Sequence, residues 1–307
     1  MSIPTTNAPQ ESNSVSGEIV IKVIGVGGCG NNAVRHMISS GLQGATFIAA
    51  NTDVQALAVA HADHTIELDP DFFLEGNMPE ADAIGGAHLV FIVAGMGGAT
   101  GTEGAPVIAR VAKEAGAGLI VGVVTTPFRF EGKRRTERGE AGIAALYRHV
   151  DCLIVLPNEH LYSAPQQCTL RELFMQADET MAAAVRCISN MLTRPGPINT
   201  SFADVASVLR GPTAGVMGVG AASGENRARY AAMRALSSPL LEGIPLGDAR
   251  GVLLNITAGP EVSIAEMEEA HAVVLSGVHA DAAVFMSLTL DHSMDDEMRI
   301  TFIATFN

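Results

Sequence analysis

Glycine-rich turns that follow apolar strands are the most chemically suggestive feature of this 307-residue sequence. The first turn, Gly25–Gly30, reads GVGGCG, follows the β-branched run Ile19–Val26 and precedes a predicted helix over Ala33–Ser40. Glycine lets backbone N–H groups approach an anion, and the dipole of the following helix favours phosphate there. With Asp53 about twenty residues further on, the pattern alone fits a dinucleotide site, and the alternative is a tight turn without a ligand.

A second glycine turn repeats this arrangement later in the chain. Gly95–Thr102 reads GMGGATGT, follows the apolar run His88–Ala94 and opens a predicted helix that continues to Ala115. The carboxyl ends of parallel strands meet at one edge of a sheet, so both turns would aim their amides at the same place. Two phosphate-facing loops suit a triphosphate better than a dinucleotide.

The elements that must hold these loops are short apolar strands that alternate with helices. Further strands are predicted at Thr46–Ala50, Leu119–Thr125 and Leu153–Leu156, with a short helix over Thr52–Ala60. Such alternation is typical of a parallel sheet covered on both faces. The fold class is therefore α/β, with a Rossmann-like first domain.

A long helix separates this domain from a second unit. Apolar residues recur at threes and fours over Leu170–Arg194, and prolines then interrupt the pattern. Strands are predicted after it at Gly215–Ala222, Val252–Ala258, Ala283–Leu290 and Met298–Thr305, and helices at Glu225–Leu236 and Ile264–Ser276. The polar connection Asp291–Glu297 suits a hairpin, hence an antiparallel or mixed sheet. The predicted division is 1–17 disordered, 18–168 nucleotide-binding, 169–195 central helix and 196–307 C-terminal domain.

Composition excludes several classes of partner. The formal net charge of −14 argues against nucleic acid and against direct binding to an anionic membrane. No apolar stretch approaches 20 residues, and the polar segment Met1–Gly17 is not a signal peptide, so we expect a cytoplasmic protein. No metal site is predicted, because the four cysteines lack the spacing of a zinc or redox pair. These cysteines are Cys29, Cys152, Cys168 and Cys187.

The second glycine turn is close to the signature of tubulin and FtsZ, normally GGGTGTG. Five further segments are similar to FtsZ segments in the same order: Asn51–Asp53, Pro127–Arg135, Leu156–Asn158, Asn199–Asp204 and Gly251–Gly259. The sequence thus resembles the FtsZ family over nearly its whole length. The resemblance implies a tubulin-like fold, in which a GTPase domain is joined by a long core helix to a smaller α+β domain with a mixed sheet. It also implies binding of GTP and GDP.

The resemblance assigns roles to the residues that match the family's nucleotide site. Those of the two loops would hold phosphate and base: Gly27, Gly28, Asn32, Gly97, Gly98, Thr100, Gly101 and Thr102. Glu131 and Arg135 would contact the ribose, and Asn158 and Asp178 would lie near guanine. A carboxylate accepts from guanine N1–H and its exocyclic amine, a pairing that adenine cannot offer. The alternative for Asp178 is a polar residue on the exposed side of the long helix.

In FtsZ, GTP on one subunit is hydrolysed when a loop of the next subunit, carrying Asn-x-Asp-x-x-Asp, covers it. Here that loop retains Asn199 and Asp204, which are the predicted catalytic residues, but has Ser201 in place of the first acid. Because phosphoryl transfer depends mostly on positioning and electrostatics, the loss should slow turnover rather than abolish it. The alternative for Asp204 is a helix cap ahead of Val205–Leu209.

Two further departures affect the phosphate site. The family's third phosphate loop is represented by a shorter stretch, Asp69–Gly86. Glu103 replaces a glycine, and a carboxylate beside phosphate would cost roughly 3 kcal/mol at 5 Å and an effective dielectric near 20. A helix's first turn favours an acid by only about 0.3–1 kcal/mol. We therefore expect weakened triphosphate affinity or a Glu103 side chain turned outward.

Three functions compete. The first is a GTP-binding, FtsZ-like cytoskeletal protein that assembles head to tail with itself, or with a co-resident FtsZ, and hydrolyses GTP slowly in bacterial cell division or a related process; a requirement for Mg²⁺ stays open. The second is a structural or regulatory FtsZ-like protein that binds nucleotide weakly. The third, an NAD-dependent oxidoreductase, rests on Gly25–Gly30 and Asp53 alone.

Overall fold

A computed structural model of the chain describes residues 19–69, 72–73, 81–161, 169–194 and 196–306. The predicted disordered segment 1–17 and half of the third-loop stretch, 70–71 and 74–80, lie outside these residues. Within them, one sheet of ten strands runs in the order β3-β2-β1-β4-β5-β6-β7-β10-β8-β9. Both predicted units therefore share a single sheet, joined where Cys152–Ile154 pairs in parallel with Thr213–Gly215.

The first six strands are all parallel, as predicted. They are β1 (Ile21–Val26), β2 (Thr46–Asn51), β3 (His64–Glu67), β4 (Leu89–Gly95), β5 (Leu119–Thr126) and β6 (Cys152–Pro157). Residues of the central strand β4 are buried from Leu89 to Ala94, because helices cover both faces of this half of the sheet. Strand β3 was not predicted, since only Ile66 of its four residues is buried.

Among the described residues, the longer helical segments of this half are α1 (Gly27–Ser39), α2 (Val54–Ala58), α3 (Ala99–Glu114), α4 (Lys133–Tyr147) and α5 (Leu170–Thr193). The prediction that α1 begins at Ala33 was wrong, because the glycine turn itself forms the first helical turn. Gly27, with φ of +71°, makes the sharp bend after β1. A Cβ on Gly30 would lie 2.3 Å from the carbonyl oxygen of Val93, so α1 approaches the sheet too closely for any side chain there.

Helix α5 is the packing centre of the molecule. Its buried face includes Met181, Val185 and Ile188, all fully buried. These residues share one hydrophobic cluster with Val121 of β5 and Ile303 near the C-terminus. The predicted long core helix is therefore confirmed, and it contacts both halves of the sheet.

The C-terminal half contains β7 (Thr213–Ser223), β8 (Gly251–Ala258), β9 (Ala283–Leu290) and β10 (Glu297–Phe306), with α6 (Phe202–Leu209), α7 (Arg227–Leu236) and α8 (Ile264–Leu275). Strand β10 is antiparallel to β7 and β8, whereas β9 is parallel to β8, so the sheet is mixed as predicted. The predicted hairpin between the last two strands was wrong. Strand β10 is buried on both faces over most of its length and takes a central place, while the half-exposed β9 forms the edge.

Candidate functional site

A cavity of about 440 Å³ opens where the first two glycine turns meet, at the carboxyl ends of β1 and β4. It extends past the end of β5 to the first turns of α5. Ten of the residues proposed for nucleotide binding line it: Gly27, Gly28, Asn32, Gly98, Thr100, Gly101, Glu131, Arg135, Asn158 and Asp178. The parallel sheet thus brings together residues that are 150 positions apart in sequence.

The end of the cavity between the two glycine turns is built from backbone. Helix α1 begins at Gly27, and Gly98 is the N-cap of α3, so the unpaired amides of two helix starts converge here. A Cβ on Gly101 would lie 2.7 Å from the carbonyl oxygen of Gly95, and one on Gly27 would lie 2.8 Å from the Gly101 nitrogen. The two turns therefore pack directly on each other. This end can bind phosphate through N–H groups and the two helix dipoles.

Gly97 and Thr102 lie behind this surface instead of lining it. The Thr102 hydroxyl accepts from the Gly97 N–H at 2.8 Å, and Thr102 is buried. Gly97 has φ of +98° and packs against the backbone of Arg135. Both residues shape the second turn, and the structure places neither in the cavity.

The other end of the cavity, beside α5, offers acceptors. Asn158 is buried, and its Oδ1 has no hydrogen-bond partner among the described residues. Burial raises the pKa of Asp178 to about 6, an effect that the nearby His36 and Arg35 partly offset. A partly buried carboxylate and an unsatisfied amide oxygen are suited to a ligand that presents several N–H donors.

Glu131 and Arg135 form one side of the cavity. Glu131 Oε1 accepts from the Phe128 N–H at 2.9 Å, and Oε2 pairs with the Arg135 guanidinium. Phe128 stacks on Phe130 and meets Phe174 edge to face. The carboxylate is held in place by these contacts, while Arg135 keeps donors available to a ligand.

Several lining residues were not predicted, among them Cys29, Met96, Thr125, Pro127 and Phe174. Thr125 ends a predicted strand and Pro127 comes two residues later, so their position at its carboxyl end was the available signal. Cys29 is a non-glycine position within the first turn. Burial raises the pKa of its thiol to about 12, so this thiol is a poor nucleophile.

Asn199 and Asp204 do not line the cavity. The Asn199 amide bonds both backbone groups of Gly196, at 2.8 and 2.9 Å. Ser201 is the N-cap of α6, and the Asp204 carboxylate accepts from the Ser201 N–H and hydroxyl at 3.0 and 2.6 Å. Asp204 therefore contributes to the capping box from the first turn of α6, but Ser201, and not Asp204, is the N-cap. A catalytic role for Asn199 and Asp204 stays a prediction.

Glu103 is turned away from the cavity. Its carboxylate lies 3.3 Å from Arg138 of α4, and both side chains are about half exposed. Glu103 also lies beyond the first turn of α3, which contains no acid. Of the two expectations for Glu103, the outward side chain is the one observed.

Within the described residues, no group of three or more His, Cys, Asp and Glu side chains could hold a metal ion. The same residues include no helix that is long and apolar enough to cross a membrane. Asp53, the acid of the dinucleotide alternative, caps α2 by accepting from the Gln55 N–H at 2.9 Å and does not line the cavity.

Comparison with known proteins agrees with this architecture. The family "Tubulin/FtsZ family, GTPase domain" matches residues 78–166, and "FtsZ family, C-terminal domain" matches residues 213–306. The cell division protein FtsZ of Pseudomonas aeruginosa is 43% identical over an alignment of 310 residues. The alignment covers 95% of this chain and 78% of that protein. An empty FtsZ dimer of M. jannaschii superimposes with a TM-score of 0.86 at 33% identity, covering 94% of this chain and 88% of that one.

A more distant structure, CetZ2 from Haloferax volcanii, shares the fold at 19% identity and a TM-score of 0.70, covering 93% of this chain and 92% of that one. The architecture is that of the tubulin-like class, in which a Rossmann-like parallel sheet is joined to a unit with a mixed sheet. Within that class, the chain belongs to the FtsZ family. The resemblance and the fold predicted from the sequence are thus confirmed.

Proposed function

We propose that the protein binds GTP and GDP in the cavity between the two glycine turns and assembles head to tail with further copies of itself. The observation that carries this proposal is the combination of two convergent helix starts at one end of the cavity and Asp178 at the other. Membership of the FtsZ family supports it, and a dinucleotide site loses its basis because Asp53 is a helix cap.

The phosphates would lie on the backbone amides of Gly27, Gly28 and the start of α3. Thr100 presents a hydroxyl there, 2.9 Å from that of Thr52. No carboxylate lines this end of the cavity among the described residues, so Mg²⁺ would be held mainly by phosphate oxygens and water.

The base would lie between the two turns and α5. The Asp178 carboxylate would accept from N1–H and the exocyclic amine of guanine, and Asn158 Oδ1 would take a further donor. Phe174 lines the same end of the cavity and offers an aromatic face. Adenine has an acceptor where guanine has N1–H, so this arrangement favours guanine.

Hydrolysis would need a second copy, because Asn199 and Asp204 lie outside the cavity of their own chain. Asn199 directly follows Ile198, which lines an apolar groove of about 550 Å³ together with residues that include Ile264 and Met286. Ile264 is 79% exposed. An apolar groove beside a polar loop is suited to a subunit contact. The neighbour's Asn199 and Asp204 would orient the water that attacks the terminal phosphorus of GTP; the bond from that phosphorus to the bridging oxygen breaks, and GDP and inorganic phosphate are released.

This proposal is tested by the rate of GTP hydrolysis per subunit across about a tenfold range of protein concentration. We expect the rate per subunit to rise with concentration, since each site is completed by a neighbour. A rate per subunit that stays constant over this range would exclude completion between subunits.

A second candidate is a structural or regulatory family member that binds nucleotide without turning it over, and Ser201 is the observation that favours it. Ser201→Asp restores the family's acid and keeps a side-chain acceptor at the N-cap of α6, but it removes the hydroxyl that donates to Asp204 and places a second carboxylate beside it. If hydrolysis takes place, single-turnover phosphate release should be faster in the variant, despite a lower melting temperature. Undetectable release from both proteins would favour the second candidate.

A further inference from the structure

Beneath the first glycine turn lies a pair of buried amides that the proposed function does not use. Asn31 and Asn51 are each 4% exposed, and neither lines the cavity. Asn31 belongs to α1, one turn after the glycines, and Asn51 is the last residue of β2. Two polar side chains at adjoining core positions require a reason, because aliphatic residues would pack there at lower desolvation cost.

Their hydrogen bonds explain their presence. Two carbonyl oxygens face one end of the Asn31 amide, so its nitrogen lies on that side and donates to Gly25 at 2.8 Å and to Gly27 at 3.2 Å. The Asn31 oxygen then accepts from Asn51 Nδ2 at 3.1 Å. Asn51 Oδ1 in turn accepts from the Asp53 N–H at 3.2 Å. These hydrogen bonds fix the orientation of both side-chain amides.

The two carbonyls that Asn31 binds lie on either side of the bend between β1 and α1. In a trans peptide the C=O and the N–H point in opposite directions, so an inward Gly27 carbonyl directs the Gly28 N–H outward. Gly28 lines the cavity, and nothing in the described protein would obstruct a Cβ on it. The amide pair therefore sets the direction of the Gly28 N–H at the end of the cavity between the two glycine turns.

We propose that Asn31 and Asn51 are positioning residues for phosphate: Asn31 holds the first glycine turn with its N–H groups facing the cavity, and Asn51 holds Asn31. The inference rests on the proposed binding of a guanine nucleotide. It assigns the two asparagines an effect on the phosphate end of the ligand and none on the base end, which Asp178 and Asn158 form.

The experiment compares GDP with guanosine, which lacks phosphate, in competition against a fluorescent GDP analogue. Asn31→Ala should weaken GDP binding on the order of tenfold to a hundredfold, the loss of one or more charge-assisted hydrogen bonds. Guanosine affinity should change by less than about twofold, since the base contacts are intact. Asn51→Ala leaves the donors of Asn31 in place and should give a smaller loss in the same direction.

Asn255→Ala is the matched control. Asn255 is equally buried and donates to Ser287 and Thr289 at 2.9 and 3.0 Å, but it lies in the C-terminal half of the sheet. The control should lower the melting temperature, as the Asn31 variant does, without changing the ratio of GDP to guanosine affinity. If Asn31→Ala fails to fold, Asn51→Ala carries the same comparison.

The outcomes separate this inference from the proposed function. Wild-type protein that binds neither ligand would overturn the proposed function itself. Wild-type protein that binds GDP, together with Asn31 and Asn51 variants whose GDP to guanosine ratio is unchanged, would overturn only the positioning role. A selective loss for GDP in these variants and not in Asn255→Ala would establish it.

Discussion

Asp178 has two roles that oppose each other. Burial raises the pKa of its carboxyl to about 6, which means that ionisation is costly in the empty cavity. Recognition of guanine nevertheless requires the ionised form, because a protonated carboxyl would present a donor to donors. Affinity should therefore depend on pH in a range where an ordinary aspartate would not titrate.

We expect the affinity for GDP to fall about tenfold between pH 7 and pH 5 through protonation of Asp178. The sign follows from the raised pKa, since the binding-competent carboxylate is lost as pH falls through 6. Asp178→Asn is the control, because the phosphates of GDP titrate alike with both proteins. The ratio of wild-type to variant affinity, measured by calorimetry, should fall over this range, and a constant ratio would contradict the role of Asp178.

Glu103 is the second residue for which the structure changes the expected effect on nucleotide binding. Its pairing with Arg138 removes the expected repulsion of phosphate, because the carboxylate lies outside the cavity and its charge is compensated. Glu103→Gly should therefore change GTP affinity in titration calorimetry by less than about twofold. A gain of tenfold or more in the variant would show that the carboxylate reaches the phosphates.

At the scale of elements, α7 packs directly on the backbone of β7. A Cβ on Gly220 would lie 2.2 Å from the Ala231 carbonyl oxygen and 2.4 Å from the Ala235 nitrogen, both in α7. This close contact requires glycine at position 220, because neither backbone can move without separating α7 from β7.

We expect Gly220→Ala to lower the free energy of unfolding by about 2–4 kcal/mol in urea denaturation, through overpacking. Gly247→Ala is the control, because a Cβ there meets nothing within 4 Å. It should change stability by less than about 0.5 kcal/mol. Equal effects of the two substitutions would show that α7 can move away from β7 freely.

Burial determined which elements could be predicted from the sequence. Strands β1, β4 and β5 are buried on both faces, and their apolar runs were recognised within one or two residues. Strand β3 escaped notice because three of its four residues are exposed. The prediction paired β10 with β9, because a polar connection between consecutive strands fits a hairpin. Nothing local to Asp291–Glu297 reveals that β8 lies between β9 and β10 in the sheet.

For the site, the glycine turns were predictable from spacing, because their backbone requires that residue type. Asp178 and Asn158 needed the family resemblance, since one lies on a helix and the other follows an ordinary strand. The amide pair Asn31 and Asn51 could not be predicted. Its contacts join α1 to the end of β2, a juxtaposition that only the packed sheet creates.

At the scale of the whole molecule, the proposed function places the two parts of one active site on different copies. The cavity lies at the carboxyl edge of the parallel strands, while Asn199 precedes α6 and Asp204 lies in its first turn. In the proposed assembly, a head-to-tail contact would join them and leave an unused half-site at each end.

Complementation between two inactive variants tests this claim most directly. The cavity variant, Asp178→Ala, loses the contact with the base. The loop variant, Asn199→Ala combined with Asp204→Ala, loses the two polar side chains proposed to act on the neighbour's GTP. Random head-to-tail contacts in an equal mixture pair an intact cavity with an intact loop about one time in four, so about a quarter of wild-type GTP hydrolysis should return. A control mixture, in which the loop variant meets a protein carrying all three substitutions, should stay inactive. Activity of the first mixture no greater than the sum of its components would contradict a site shared between subunits.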